Sequence, residues 1–479
     1  MQLRRNRFGL ARVLWLDLDR NSSASLTQQL YDQLVSRILA GELRAGQRLP
    51  SSRALAETLG IARNIAIEVF EQLQVEGYLQ TRRGSGTFVA RLELLASAPV
   101  RQRTRKPTAA LPGTPPPDTI SFRCGIPDLS AFPRARWLSA VRQIGFHSPT
   151  EIWSYDETAG LHTLREEIAA HLGRVKGIRC SADQVILTQG STNGIALIGL
   201  FFRARQPGAL VEDPVVSFVP EVLRQCGHQV HPVRADADGL VIAALPAKPR
   251  AGFVFVSPSH QFPLGGTLPI ARRLALLGYA RRHDLFVVED DYDSEFRFAG
   301  APVSSLCRLD PERVIHLGTF SKTLAPAMRL GYLVLPPQLA PDLLAMLRPM
   351  YLAGSRVLHA AVAHLMQTGH YERHVARMKR IYERKMKTLC SALQARFGDN
   401  VSITGHSTGL HLVAGFRGIS LSPAVRERCA QAGVTFDTAS DYALRPRRRP
   451  DVALLGFGDL SHEQIQEGVR RLATVLRPT

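Results

Sequence analysis

Leu26, Leu30, Leu34 and Ile38 recur every four residues behind Ser25-Leu-Thr-Gln28, a run with capping-box form, and the stripe stops at Gly41. That pattern predicts an amphipathic helix with one buried face. Gly46 to Pro50 breaks the periodicity. Ser51 or Ser52 then caps a short helix over 53–59, which Gly60 closes. A third helix carries Ile61, Ile65, Val69 and Leu73 on one face and ends at Gly77. Two β-rich pieces, 78–81 and 87–90, flank Arg82-Arg-Gly-Ser-Gly86, a hairpin with a basic tip. Three helices with a tight second connection, followed by such a hairpin, predict a winged helix-turn-helix, whose recognition helix can enter a major groove.

The pattern changes twice beyond residue 90. Residues 91–119 lose apolar periodicity and hold Arg101-Gln-Arg-Thr-Arg-Lys106 followed by Pro107, Pro112, Pro115, Pro116 and Pro117. They read as an extended basic linker. From residue 120 to 479, short apolar runs at Val185–Thr188, 209–211, Phe253–Val256, 285–288 and 314–317 alternate with helix-length segments. That alternation predicts an α/β unit built on a mostly parallel sheet, with ligands at the carboxyl ends of its strands. The chain is therefore multi-domain: residues 20–90, a linker over 91–119, and residues 120–479.

Charge sharpens this division. Of 479 residues, 60 are Lys or Arg and 41 are Asp or Glu, a net charge of +19. The first 110 residues hold 17 basic against 9 acidic groups, so they are the more basic part per residue and the natural partner of a polyanion. Apolar residues make up 45%, which excludes global disorder, and the longest apolar run, 194–202, is half of what a membrane span needs. With no apolar h-region behind the first basic residues, the chain reads as soluble and cytoplasmic, with no membrane partner. The six cysteines include no C-x-x-C pair, which excludes a disulfide framework and a cysteine-built metal site; no metal is expected.

The residues just after the predicted strands carry chemistry. Gly190-Ser191-Thr192 opens a helix and offers backbone N–H groups and hydroxyls to an anion. Glu289-Asp290-Asp291-Tyr292 ends the 285–288 strand, with adjacent carboxylates suited to a metal or an ion pair. Thr319-Phe-Ser321-Lys322 follows the 314–317 strand, with Arg329 seven residues on: an amine beside hydroxyls and a second anion clamp. One cofactor, pyridoxal 5′-phosphate, uses all of these together: a lysine for its aldehyde, an aspartate for its ring nitrogen, a donor to its phenolic oxygen and a phosphate cradle.

The runs GELRAGQRLPSSRALAETLG and FEQLQVEGYLQTRRGSGTFVA resemble the DNA-binding domain of GntR-type bacterial regulators. The resemblance implies DNA contacts from Arg53, Arg63, Asn64, Arg83 and Gly84. This sequence departs from the family at Ala62-Arg-Asn-Ile65, where two hydroxyls are missing. TQGSTNGI, SPSHQFPLGG, VVEDDYDSEFRF, LGTFSKTLAPAMRLGYLV and GLHL resemble the MocR/GabR subfamily, which fuses that reader to a fold-type I aminotransferase-like domain. The resemblance covers nearly the whole chain. It implies that Lys322 forms an internal aldimine with pyridoxal 5′-phosphate, that Asp290 pairs with the pyridinium, and that Tyr292 bonds the ring oxygen with help from His260 or Gln261. It also implies that Ser191, Thr192, Ser321 and Arg329 hold the phosphate, and that Tyr155 and Arg449 face an effector.

The function expected on this basis is a transcriptional regulator that binds operator DNA as a homodimer. It would sense an amine, an amino acid or the B6 vitamer through Lys322, with its aminotransferase-like domain serving as sensor. The alternative is an active aminotransferase with an accessory DNA-binding arm.

Overall fold

The computed structural model describes residues 16–82, 84–91, 118–154, 157–299, 303–350, 353–446 and 451–476. They form two compact units, one within 16–91 and one within 118–476. Arg83, Tyr155, Arg449 and the linker residues 92–117 lie outside the described residues.

In the first unit, α1 (Leu26–Leu39), α2 (Ser52–Leu59) and α3 (Arg63–Val75) precede a hairpin of β1 (Leu79–Arg82) and β2 (Gly86–Val89). Leu30, Leu34 and Ile38 of α1 meet Leu55 and Ala56 of α2 and Ala66, Val69, Phe70 and Leu73 of α3 in one core. The N-terminus of α1 is capped by Ser25, whose hydroxyl accepts from the Gln28 N–H at 3.2 Å. Only half of the expected capping box forms, because the Gln28 amide donates to Asp32 at 2.9 Å instead of turning back. Ser51 is the cap of α2, and Gly60 ends that helix in the left-handed region at φ 63°. Ile61 falls before α3 and is half-buried, so Ala66 and Phe70 complete the face assigned to it from spacing. The hairpin ladder closes one pair nearer the tip than expected, with Arg82 opposite Gly86. The Arg82 guanidinium lies 5.0 Å from the Phe88 ring centroid, a cation–π contact on the strand itself.

The second unit is built on an eight-stranded sheet. Its strands are β4 (Val185–Thr188), β5 (Gly208–Asp213), β6 (Gln229–Asp236), β7 (Gly239–Leu240), β8 (Phe253–Val256), β9 (Phe286–Asp291), β10 (Val314–Thr319) and β11 (Gly331–Val334). They lie in the order β4-β11-β10-β9-β8-β5-β6-β7. Neighbours from β10 to β6 are parallel, and β11 and β7 run antiparallel to theirs. Alternate residues feed two cores: Leu187, Val254 and Val287 enter one face, Ile186, Phe255 and Val288 the other. This is the period-2 signature of strands buried on both sides. The carboxyl ends of β4, β5, β8, β9 and β10 consequently share one edge.

A smaller sheet of β12 (Val401–Thr404), β13 (His411–Phe416), β16 (Ala453–Gly456) and β15 (Asp437–Thr438) packs with the helix His370–Phe397 around a third core. Two strands, β3 (Ile120–Ser121) and β14 (Val434–Thr435), pair in parallel. This pairing carries the start of the unit along the small sheet, so that Cys124 and Gly125 reach Lys322. Helices α4 (Arg134–His147), α5 (His162–Lys176) and α6 (Ser191–Arg203) follow in chain order.

Candidate functional site

Each strand end at the shared edge delivers one predicted group. After β4, Gly190 adopts φ 82° and α6 begins at Ser191 without a side-chain cap, leaving its first N–H groups free. Arg329, itself at φ 48°, folds over this turn. A Cβ on Gly190 would lie in ordinary contact, 3.5–3.6 Å, with the Arg329 guanidinium, and it is the left-handed φ that favours glycine there. Ser321 joins through Thr319, whose hydroxyl donates to Ser321 Oγ at 3.0 Å and accepts the Ser321 N–H at 3.1 Å. Ser191, Thr192 and Ser321 are half-buried and Arg329 is exposed. Helix-terminal N–H groups, hydroxyls and a guanidinium are the donor types that suit a phosphate.

The pleat of β9 separates its acidic residues. Glu289 and Asp291 point to one face, where Glu289 accepts the N–H groups of Leu306 and Cys307 at 2.8 and 3.1 Å and lies 3.2 Å from His316. Asp291 ion-pairs there with Lys176, which also reaches Glu295 at 3.0 Å. Burial opposes the charge on Asp291, yet Lys176 and His316 hold its pKa below the ordinary value. Asp290 points the other way, into the site, with the Ser257 hydroxyl 3.5 Å away. Burial, then repulsion from Asp291, Asp293 and Glu212, pushes its pKa from 3.8 to about 8. The adjacent carboxylates thus divide between an ion pair and the site.

Lys322 is the counterpart of Asp290. Its ammonium donates to the Gly125 carbonyl at 2.5 Å. Desolvation lowers its pKa, against the attraction of Asp293 and Asp290. The Tyr292 hydroxyl lies 3.1 Å from His260 Nδ1, and burial followed by the charges of Asp293 and Asp290 raises its pKa well above normal. The structure gives Gln261 a different job from the one expected. Its amide donates to the carbonyls of Pro214 and Phe262 at 2.9 and 2.8 Å and accepts from Leu264 at 3.0 Å, which fixes the loop that presents His260.

Sequence reasoning missed several groups around this pocket. Gly125 enters from a segment 197 residues away. Asp293 bonds His260, and His411 packs on it from β13. Tyr442 sits edge-on to Phe262 with its hydroxyl donating to Asp437 at 2.8 Å. EDDYDSEF contained the Asp293 signal and GLHL the His411 signal, but neither says which partner it meets.

The donor set suits pyridoxal 5′-phosphate. Asp290, a buried acid resisting ionisation for want of a cation, is matched to a pyridinium. Lys322 is a half-buried amine whose pKa is lowered by desolvation, which suits an aldehyde, and the Ser191–Arg329 group suits a dianion.

The family model described as "Aminotransferase class I and II" matches residues 118–444, and that of "Bacterial regulatory proteins, gntR family" matches residues 26–89. The chain is 33% identical over 470 residues to the probable rhizopine catabolism regulatory protein MocR of Rhizobium meliloti, covering 95% of each. It is 34% identical over 401 residues to the HTH-type pyridoxine biosynthesis transcriptional regulator PdxR of Corynebacterium glutamicum, covering 83% of this chain and 84% of that one. Among solved structures, LysN, the α-aminoadipate aminotransferase of Thermus thermophilus complexed with N-(5′-phosphopyridoxyl)-L-leucine, superposes with a TM-score of 0.67 at 27% identity. That match covers 75% of this chain and 92% of LysN. With a GntR reader on one unit and an aminotransferase class I and II domain on the other, the chain belongs to the MocR-type family of GntR transcriptional regulators.

Proposed function

We propose that this regulator reads an amine, an amino acid or the B6 vitamer itself through Lys322 and conveys the result to its DNA-binding unit. The observation that carries the reading is the meeting of a desolvated Lys322 with a charge-starved Asp290 in one pocket of a chain that also holds a DNA reader. When bound, pyridoxal 5′-phosphate supplies an aldehyde that primary amines capture reversibly. Lys322 offers the protein's own amine, kept neutral more readily by its burial. Asp290 holds the ring nitrogen, Tyr292 holds the phenolic oxygen, and Ser191, Thr192, Ser321 and Arg329 hold the phosphate. An effector amine competes with Lys322. It acts on transcription only by favouring one arrangement of the chain over another, since equal affinity for both shifts nothing. Tyr155 and Arg449 remain our candidates for the effector's contacts.

On the DNA side, Arg53 at the start of α2 and Arg63 and Asn64 at the start of α3 are all exposed, as is Gly84 at the hairpin tip. These residues, with Arg83, form the proposed DNA-contacting set. Phe146 and Leu138 of α4 and Trp153 are 76%, 65% and 60% exposed, too much apolar surface to leave in water. A second copy of the chain is the proposed cover, giving a homodimer that matches two operator half-sites.

The test loads the protein with pyridoxal 5′-phosphate, reduces it with borohydride and maps the modified peptide. Modification at Lys322, and its loss in Lys322→Ala with DNA binding retained, supports the reading. Modification elsewhere overturns it. The aminotransferase alternative requires repeated turnover with an amine donor and a keto acid, whereas the sensor stalls after binding the amine.

A further inference from the structure

His260 is 1% exposed and faces Asp293, which is 2% exposed, with Nδ1 at 2.9 and 3.2 Å from the two carboxylate oxygens. The same Nδ1 lies 3.1 Å from the Tyr292 hydroxyl. A carboxylate only accepts, so Nδ1 must carry the proton; the other tautomer would set its lone pair against two oxygens. Nε2 has no partner among the described residues, as suits a bare acceptor with no donor nearby. With its one proton held by Asp293, Nδ1 cannot take the tyrosine's proton, which is left to point elsewhere. This holds whether His260 is neutral or cationic.

We infer that Asp293 and His260 form a positioning pair that fixes Tyr292 as a hydrogen-bond donor toward the phenolic oxygen of the cofactor. The pair is held from several sides. Gly409, at φ 81°, passes so close that a Cβ there would sit 2.3 Å from Asp293 Oδ2 and from His260 Nδ1. His411 stacks on His260 with ring centroids 4.6 Å apart, its own Nε2 3.3 Å from the Pro263 carbonyl. The His260 and Tyr292 rings stack at 5.8 Å and 21°. Besides Asp293, the charged and titratable groups facing Tyr292 are Asp290, Glu212 and Cys124, and Lys322 faces Asp293 and Asp290. Asp293 is a positioning residue that acts through His260. The inference rests on the cofactor reading given above.

The sign of one measurement separates this role from its rivals. A donor to the phenolic oxygen favours the form of the bound cofactor in which that oxygen is most negative, so losing the donor raises the pH at which its visible absorbance titrates. Removing a negative charge beside the cofactor's cationic form does the opposite and lowers that pH. In Asp293→Asn, His260 can turn its other tautomer and accept the tyrosine's proton. The full-length holoprotein with this substitution should titrate about one unit higher than wild type, the size expected for losing a charge-assisted hydrogen bond. Tyr292→Phe should shift the same way, the double variant should show no further rise, and Asp293→Glu should return toward wild type. A downward or absent shift in Asp293→Asn, with Tyr292→Phe shifted upward, overturns the positioning role. Wild-type protein that never takes up pyridoxal 5′-phosphate would instead overturn the cofactor reading.

Discussion

Lys322 donates its ε-ammonium to the backbone carbonyl of Gly125 at 2.5 Å, joining residues 197 positions apart. A Cβ on Gly125 would stand 3.1 Å from that nitrogen, and the glycine has φ 76°. Any side chain there is strained and presses on the amine. Gly125→Ala should therefore weaken pyridoxal 5′-phosphate uptake at least tenfold, while binding of DNA by the cofactor-free chain is unchanged. Absorbance titration with the vitamer and fluorescence anisotropy with operator DNA measure the two effects separately. Equal uptake by the variant would show that the Gly125 contact does not position Lys322.

Asp290 makes the cofactor-free protein sensitive to pH. Its pKa stands at about 8 in the fold, against 3.8 for the free side chain, and burial likewise raises Glu212 from 4.5 to about 7. A carboxyl raised by folding contributes fully below its unfolded pKa and loses that contribution as pH rises through its folded one. The cofactor-free protein should thus lose stability between about pH 4 and pH 8 as these two groups are forced to ionise. Asp290→Asn should flatten the decline, and saturating pyridoxal 5′-phosphate should do so too, because a pyridinium beside Asp290 favours its charged form. Chemical denaturation at a series of pH values checks this. A wild-type profile as flat as that of Asp290→Asn would contradict it.

The carboxyl-edge residues were legible because their signals are local. Ser191, Tyr292 and Lys322 each follow a run of β-rich apolar residues within a few positions, so knowing the strands and their parallel order places them together. The helices of the DNA reader were legible for the same reason, being punctuated by Ser51, Gly60 and Gly77. Contacts made between strand ends and distant loops were not. Nothing local to Asp293 names His260 as its partner, and nothing local to Gly125 names Lys322. Gln261 misled because its neighbour His260 faces the site while its own amide is drawn into the loop by two carbonyls. The pairing of Asp291 with Lys176 likewise depends on which face of β9 each acidic residue occupies, and that follows only once the strand register is known.

Gly409 tests the packing around the positioning pair. Replacing it with alanine puts a methyl group 2.3 Å from both Asp293 and His260 at a φ that L side chains rarely adopt. Overpacking of a rigid site costs about 1–3 kcal/mol, and the left-handed backbone adds to it. Gly409→Ala should lower the denaturation midpoint of the full chain and shift the holoprotein's absorbance titration upward, the direction expected for Asp293→Asn. A variant with the wild-type midpoint and titration would show that the loop yields and that the pair is not clamped there.

Helix α3 begins at Arg63 behind Ala62, which has no side chain to accept from the first turn. Serine at this position supplies the missing acceptor, as Ser51 does for α2 through the Ala54 N–H at 3.2 Å. Ala62→Ser should stabilise the first turn of α3 by about 1 kcal/mol, seen as slower hydrogen exchange of its amides in the intact chain. Exchange no slower than in wild type would mean that the turn draws its stability from packing alone.

Arg53 and Arg63 open α2 and α3 and are both exposed, but a phosphate contact and a base contact leave different thermodynamic marks. An arginine on a phosphate adds affinity to every sequence and steepens the dependence on salt; one on a guanine edge discriminates between sequences. If Arg53 meets phosphate, Arg53→Ala weakens operator and unrelated DNA alike and reduces the slope of log affinity against log salt by about one. If Arg63 reaches a base, Arg63→Ala loses about 1–3 kcal/mol on the operator and little on unrelated DNA. Fluorescence anisotropy at several salt concentrations, on both kinds of duplex, distinguishes the two. Variants that bind both duplexes as wild type does would remove these arginines from the interface.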